Sequence, residues 1–123
     1  MTMKKKRANS EHYIWGDNCH GWHLLKNDRL SIIEESMPPN TSEVKHYHNK
    51  AQQFFYILKG SAVFELDNTT MHIGEREGIH IGSQVIHQIR NEGSTNLEFI
   101  VISEPTSKGD RVIIEQTKTK QQS

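Results

Sequence analysis

The sequence has a single cysteine, Cys19, in 123 residues. An internal disulfide is therefore excluded, and no second thiol is present for a redox pair. No charge is in excess: fifteen Lys and Arg balance fifteen Asp and Glu. No global field draws the chain to nucleic acid or to anionic lipid. The longest apolar runs are too short to span a bilayer. The basic run Lys4-Lys5-Lys6-Arg7 is not followed by the apolar stretch of a secretion signal, and it reads as a solvated terminus. These absences lead us to expect a cytoplasmic protein with neither a nucleic-acid nor a membrane partner. The apolar fraction is also low, at 33%. Part of that shortfall lies at the ends, where MTMKKKRANS and TKTKQQS lack apolar periodicity and read as frayed or disordered.

Beyond Asn40 no window sustains a helical period. What is there instead is a series of short runs rich in β-branched and aromatic residues, separated by Gly, Pro, Asn and Asp. Strands are expected at residues 29–37, 44–48, 53–59, 61–66, 69–73, 78–81, 85–90, 97–103 and 111–115. The breaks fall at Pro38-Pro39-Asn40, Lys59-Gly60, Asp67-Asn68 and 91–94. That pattern indicates an all-β sandwich or barrel, one antiparallel domain over residues 29–115. Residues 1–28 read as an irregular segment with a partly disordered basic tail, and 116–123 as a disordered tail. Within the former, Trp15 and Trp22 lie in a stretch broken by Gly and Asn, and are expected to pack onto the barrel rather than to form a lid. The run QFFYILK is apolar on both parities, Phe54, Tyr56 and Leu58 against Phe55 and Ile57. A strand covered on both sides points to a second subunit.

His46-Tyr47-His48 carries the chemistry. Residues two apart on a strand share a face, so two imidazoles at that spacing can share one metal ion. Alone the pair is a weak signal, since such pairs on strands are more often two surface histidines on a sheet face. The following residues add weight: Gln53 and Gly60 after it, then His87 in a later strand with Asn91 four residues on. This layout resembles the cupin family. Its first motif falls on Asn40, His46, His48, Gln53 and Gly60. Its second falls on Gly74 or Gly78, Gly82 in the usual proline's place, His87 and Asn91. The resemblance covers about residues 30–103. It implies a double-stranded β-helix, a homodimer paired through sheet faces, and a divalent metal (zinc, iron, nickel or manganese) on His46, His48, Gln53 and His87.

Two departures shape the expected site. Asn40 stands where the family has glycine, and asparagine tolerates the same left-handed backbone. Gln53 stands where the family has a glutamate ligand, so the protein supplies no negative charge. The ion would keep its double charge and favour water, hydroxide or an anionic substrate as the balancing group. By alternation Phe55 and Ile57 share the face of Gln53, and Val85 and Ile89 that of His87. They are the expected apolar walls of a pocket for a small-molecule ligand. His72 and His80 read as rim or surface residues. No Ser/His/Asp set, phosphate-cradling loop or paired carboxylates stand out. Three functions fit: a metal-dependent oxygenase, isomerase or lyase; a non-catalytic binding or sensing protein; or a structural protein with a vestigial site.

Overall fold

The structure is a computed structural model and describes residues 2–107 and 109–114. The tail expected at 116–123 lies outside these residues. Among those described, the elements are strands apart from one short 3-10 turn, Arg7–Asn9. In chain order the strands are β1 (Glu11–Trp15), β2 (Cys19–Lys26), β3 (Ser31–Met37), β4 (Thr41–Ser42), β5 (His46–His48), β6 (Gln52–Lys59), β7 (Ala62–Leu66), β8 (Thr69–Ile73), β9 (Gly78–Ile81), β10 (His87–Asn91), β11 (Leu97–Glu104) and β12 (Arg111–Ile113). The first sheet runs β1-β2-β3-β11-β6-β9. The second runs β12-β5-β10-β7-β8, with β4 paired to β10. All pairings are antiparallel.

The core fills the space between the sheets. Met37, Phe55, Ile57, Leu97 and Phe99 come from the first sheet and Ala62, Phe64 and Ile89 from the second, all buried. Phe55 meets Phe64 edge-on, with ring centroids 5.1 Å apart, which locks the sheets at their centre. Burial alternates along β6, β10 and β11 as the pleat requires.

The N-terminal segment differs from expectation. Residues 11–26 form a β-hairpin that extends the first sheet through β3. The Gly and Asn residues that suggested irregularity are turn residues: Gly16 and Asn18 both take positive φ, 54° and 64°. Alternation is present but hidden, because each face mixes aromatic with polar groups. Trp15 packs against the core. Trp22 points to the other face, under the guanidinium of Arg7, 4.0 Å from the ring centroid. Arg7 Nε also donates to Glu34 at 2.7 Å. Part of the basic run expected to fray is thus held to the sheet by a cation–π contact and a charge-assisted hydrogen bond.

Two motif residues hold the barrel end together. Asn40 adopts φ 66° and donates its backbone N–H to the Asn91 carbonyl at 2.9 Å. The buried Asn91 amide donates to the carbonyls of Met37, at 2.8 Å, and Thr95, at 2.9 Å, and its Oδ1 accepts from Gly93 N–H at 3.0 Å. Gly60 has φ 84°, and a Cβ there would lie 2.7 Å from the Asn96 carbonyl oxygen, so only glycine fits this turn. Asn91→Ala strands the Met37 and Thr95 carbonyls, at about 1–3 kcal/mol for each orphaned group. We expect the urea midpoint to fall, with an unchanged slope, by the equivalent of about 2–6 kcal/mol. A loss below about 0.5 kcal/mol, the scale of ordinary surface substitutions, would contradict this role.

Candidate metal centre

The three histidines come from adjacent strands of the second sheet. His46 and His48 share one face of β5, and His87 of β10 is the direct cross-strand partner of His46. Their ring centroids lie 4.3 Å (His46–His87), 5.1 Å (His46–His48) and 5.9 Å (His48–His87) apart. One ligand nitrogen from each falls within 4.8 Å of the others. All three are buried, with 4%, 5% and 1% exposure in sequence order. Gln53 enters from β6 of the first sheet and is also buried.

Hydrogen bonding presets the donors. His46 Nδ1 lies 2.8 Å from the Val44 carbonyl and His87 Nδ1 lies 2.9 Å from the Val85 carbonyl. A carbonyl can only accept, so both Nδ1 atoms carry the proton and each Nε2 keeps a free lone pair. Gln53 Nε2 donates to Ser103 Oγ at 2.9 Å, which leaves its Oε1 as the unengaged atom. His48 Nδ1 and Nε2, His87 Nε2 and Gln53 Oε1 are all buried with no hydrogen-bond partner. Burial pushes His46 down to about 3 and His48 to about 4, and lowers His87. All three imidazoles are therefore neutral at neutral pH, the form that ligates a metal. Three neutral imidazoles and an amide oxygen, with the His48, His87 and Gln53 atoms buried and unpartnered, fit a divalent cation.

A cavity of about 200 Å³ adjoins this cluster. His46, His48, Gln53 and Phe55 line it, together with Tyr13, Trp15, Ile33, Glu35, Glu43 and Arg111. Burial pushes Glu35 up to about 7 and Glu43 to about 8. Glu43 Oε2 lies 4.0 Å from His46 Nδ1. With Glu43 raised and His46 lowered, that contact is not an ion pair at neutral pH. Arg111 arrives on β12 as the cross-strand partner of His48. Asp110 anchors that strand by accepting from the backbone N–H of Lys50 and of Ala51, both at 2.9 Å.

Of the expected pocket walls, only Phe55 lines the cavity. Ile57 and Ile89 are fully buried in the core, and Val85 packs against it. Alternation turns Ile57 and Ile89 inward as expected, but each step of two residues moves about 7 Å along the strand, away from the cavity and into the packed interior. Val85 precedes β10, which begins at His87 and not at 85 as expected. His72 and His80 are exposed, and His80 faces Gln52 Oε1 at 2.9 Å. Glu35, Glu43, Tyr13 and Arg111 were not singled out from sequence. One signal pointed to Glu35: it shares the parity of Ile33 and Met37, so a carboxylate sits on the inward face of an apolar strand. Nothing comparable marks Arg111, whose place depends on pairing over a long sequence separation. Tyr13 and Trp15 belong to the hairpin and form part of the cavity wall as well as packing on the barrel.

Comparison with known proteins agrees with this architecture. The family described as the cupin domain matches residues 33–103, more than half of the chain. The chain is 32% identical over 85 residues to an oxalate-binding protein of Thermotoga maritima, across 65% of this chain and 70% of that one. It is 28% identical over 93 residues to an uncharacterised protein of Methanocaldococcus jannaschii, across 75% and 74%. Among solved structures, the polyketide cyclase RemF of Streptomyces resistomycificus superposes with a TM-score of 0.82 at 20% identity, covering 96% of this chain and 89% of that one. A predicted oxalate decarboxylase of Thermotoga maritima superposes at 0.74 and 24% identity, covering 85% and 100%. The two structural likenesses speak for the double-stranded β-helix fold alone. The family match over residues 33–103 shows that this chain belongs to the cupin family.

Proposed function

We propose that His46, His48, His87 and Gln53 hold one divalent ion (zinc, iron, nickel or manganese), and that the protein binds or acts on a small organic molecule in the adjoining cavity. The observation that carries this reading is the set of buried lone pairs that no protein group satisfies. When bound, the ion supplies a concentrated positive charge and Lewis acidity. The chain's own residues do the rest. The Val44 and Val85 carbonyls fix the imidazole tautomers, and Ser103 turns the Gln53 amide. Phe55, Ile33 and Val101 give the cavity an apolar wall. Trp15 Nε1, a buried donor without a partner in the same wall, suits an acceptor on the ligand, and Arg111 suits a negative charge.

A non-catalytic binding role has its own support in the oxalate-binding relative from Thermotoga maritima. A small carboxylate would meet both Arg111 and an ion that its ligands leave uncompensated. The lone buried thiol of Cys19 suits a reducing, cytoplasmic setting.

The homodimer belongs to the same reading. On the outer face of the first sheet, Phe54 and Leu58 are each 40% exposed. Cross-strand neighbours Ile32, Ile100, Ile102 and Tyr56 continue that face across β3, β11 and β6. A contiguous apolar patch of this kind marks an interface, and a second copy accounts for a β6 that is apolar on both sides. Light scattering should give twice the mass of one chain, and Phe54→Glu should reduce it to a single chain. A wild-type monomer, or an undisturbed dimer in the variant, would contradict this.

Metal analysis of untagged protein should find about one equivalent per chain in the wild type and less than about a tenth in His87→Ala. Metal-free wild type would sink the proposal. Gln53→Glu should tighten metal binding, because a carboxylate brings charge to the ion. An unchanged affinity would mean that position 53 does not reach it.

A further inference from the structure

Glu35 is the cavity group whose surroundings are least explained by folding. It lies in one cross-strand row with Gly21 of β2 and Tyr13 of β1. Gly21 sits in mid-strand without a positive φ, so space rather than backbone geometry demands it. A Cβ at Gly21 would collide with Cζ and Oη of Tyr13. A mid-strand glycine costs stability. Here it opens the passage through which Tyr13 crosses β2 and donates its hydroxyl proton to Glu35 Oε2 at 2.6 Å. Glu35 Oε1 has no hydrogen-bond partner among the described residues, and Glu35 lines the same cavity as His46 and His48. One carboxylate oxygen is fixed and the other is free, the arrangement a proton-transfer group needs.

Glu43 is committed differently. Its Oε2 accepts from Ile89 N–H at 3.2 Å, and its Oε1 lies 3.9 Å from Arg111. The groups facing Glu35 are Tyr13 from β1, Cys19 from β2, Glu43 from the loop after β4, and Arg111 from β12. Burial outweighs the Tyr13 hydrogen bond and the Arg111 charge, so the carboxyl exchanges its proton close to neutrality.

We propose that Glu35 is the proton-transfer residue of this cavity, that Tyr13 positions it, and that the ligand is a small carbon acid with a C–H bond beside a carbonyl. The inference rests on the reading of the cavity as a small-molecule site beside a metal. In the step, the substrate C–H bond breaks and a new O–H bond forms at Glu35 Oε1. The electron pair stays on the substrate and delocalises onto the carbonyl oxygen as an enolate. Return of the proton to the same or a neighbouring carbon gives exchange, epimerisation or isomerisation. No oxidant or co-reactant is consumed.

The test uses metal-replete wild type, Glu35→Gln and Tyr13→Phe in D2O with acetylacetone, oxaloacetate, pyruvate and dihydroxyacetone. Loss of the α C–H signal is followed by proton NMR, and metal per chain is measured on the same samples. The wild type should exchange at least one probe faster than buffer containing the same metal. Glu35→Gln should lose roughly a hundredfold or more of that rate with its metal content intact. Tyr13→Phe removes a hydrogen bond to the ionised form of Glu35, so the acid limb of the pH profile should move to higher pH. Carbon NMR of protein labelled at the glutamate carboxyl gives an independent readout. The resonance missing from Glu35→Gln should titrate near neutrality in wild type and higher in Tyr13→Phe. Unchanged exchange in Glu35→Gln with metal retained overturns this inference alone, as does absence of exchange with every probe or a Glu35 titration in the ordinary carboxylate range. Wild type devoid of metal overturns the metal reading and this inference with it.

Discussion

His48, His87 and Gln53 bring lone pairs into the interior that the folded chain does not satisfy. Left alone, each such group costs about 1–3 kcal/mol, a large share of the stability of a small domain. The barrel carries that burden at a single place, where one ligand nitrogen from each of three imidazoles falls within 4.8 Å of the others. A cation relieves all of them at once. Much of the neighbouring structure can be understood as holding these groups in register while keeping them dry. The Val44 and Val85 carbonyls fix two rings, Ser103 holds the amide, and Phe55 braces the first sheet against the second.

The site needs both sheets. His46, His48 and His87 stand on the second, and Gln53, Glu35 and Tyr13 on the first. Neither sheet can assemble it alone, so the apolar packing between them is also what sets the geometry of the polar groups. The protein contributes no formal charge among the proposed ligands. The nearest carboxyls, Glu35 and Glu43 in the cavity wall, are pushed toward their neutral forms by burial and stand beside the cationic Arg111. That division favours ligands that bring their own anionic or ionisable group.

Much of this was legible in the sequence, because strand periodicity and ligand spacing are local properties. The strands at 69–73 and 78–81 form with the expected bounds, and Asn40 takes the left-handed backbone expected of a residue standing for glycine. His46, His48, Gln53 and His87 converge because alternation within a strand is a reliable geometric rule. The missing part depended on pairing. The β1–β2 hairpin was hidden because its turn residues resembled breaks and its faces mix aromatic with polar groups. Ile57 and Ile89 point inward as expected but lie too far along their strands to reach the cavity. Arg111 and Tyr13 enter from opposite ends of the chain, through registers that no local pattern specifies.

The central claim is that these buried donors hold an ion, and anomalous diffraction from crystals of untagged protein, at the absorption edge of the metal found in solution, addresses it most directly. The account predicts one strong peak between His46, His48 and His87, within bonding reach of the His87 Nε2 and Gln53 Oε1 atoms. A barrel interior without a peak, or a peak only at the exposed His12–His20 pair on the outer face of the hairpin, would contradict it.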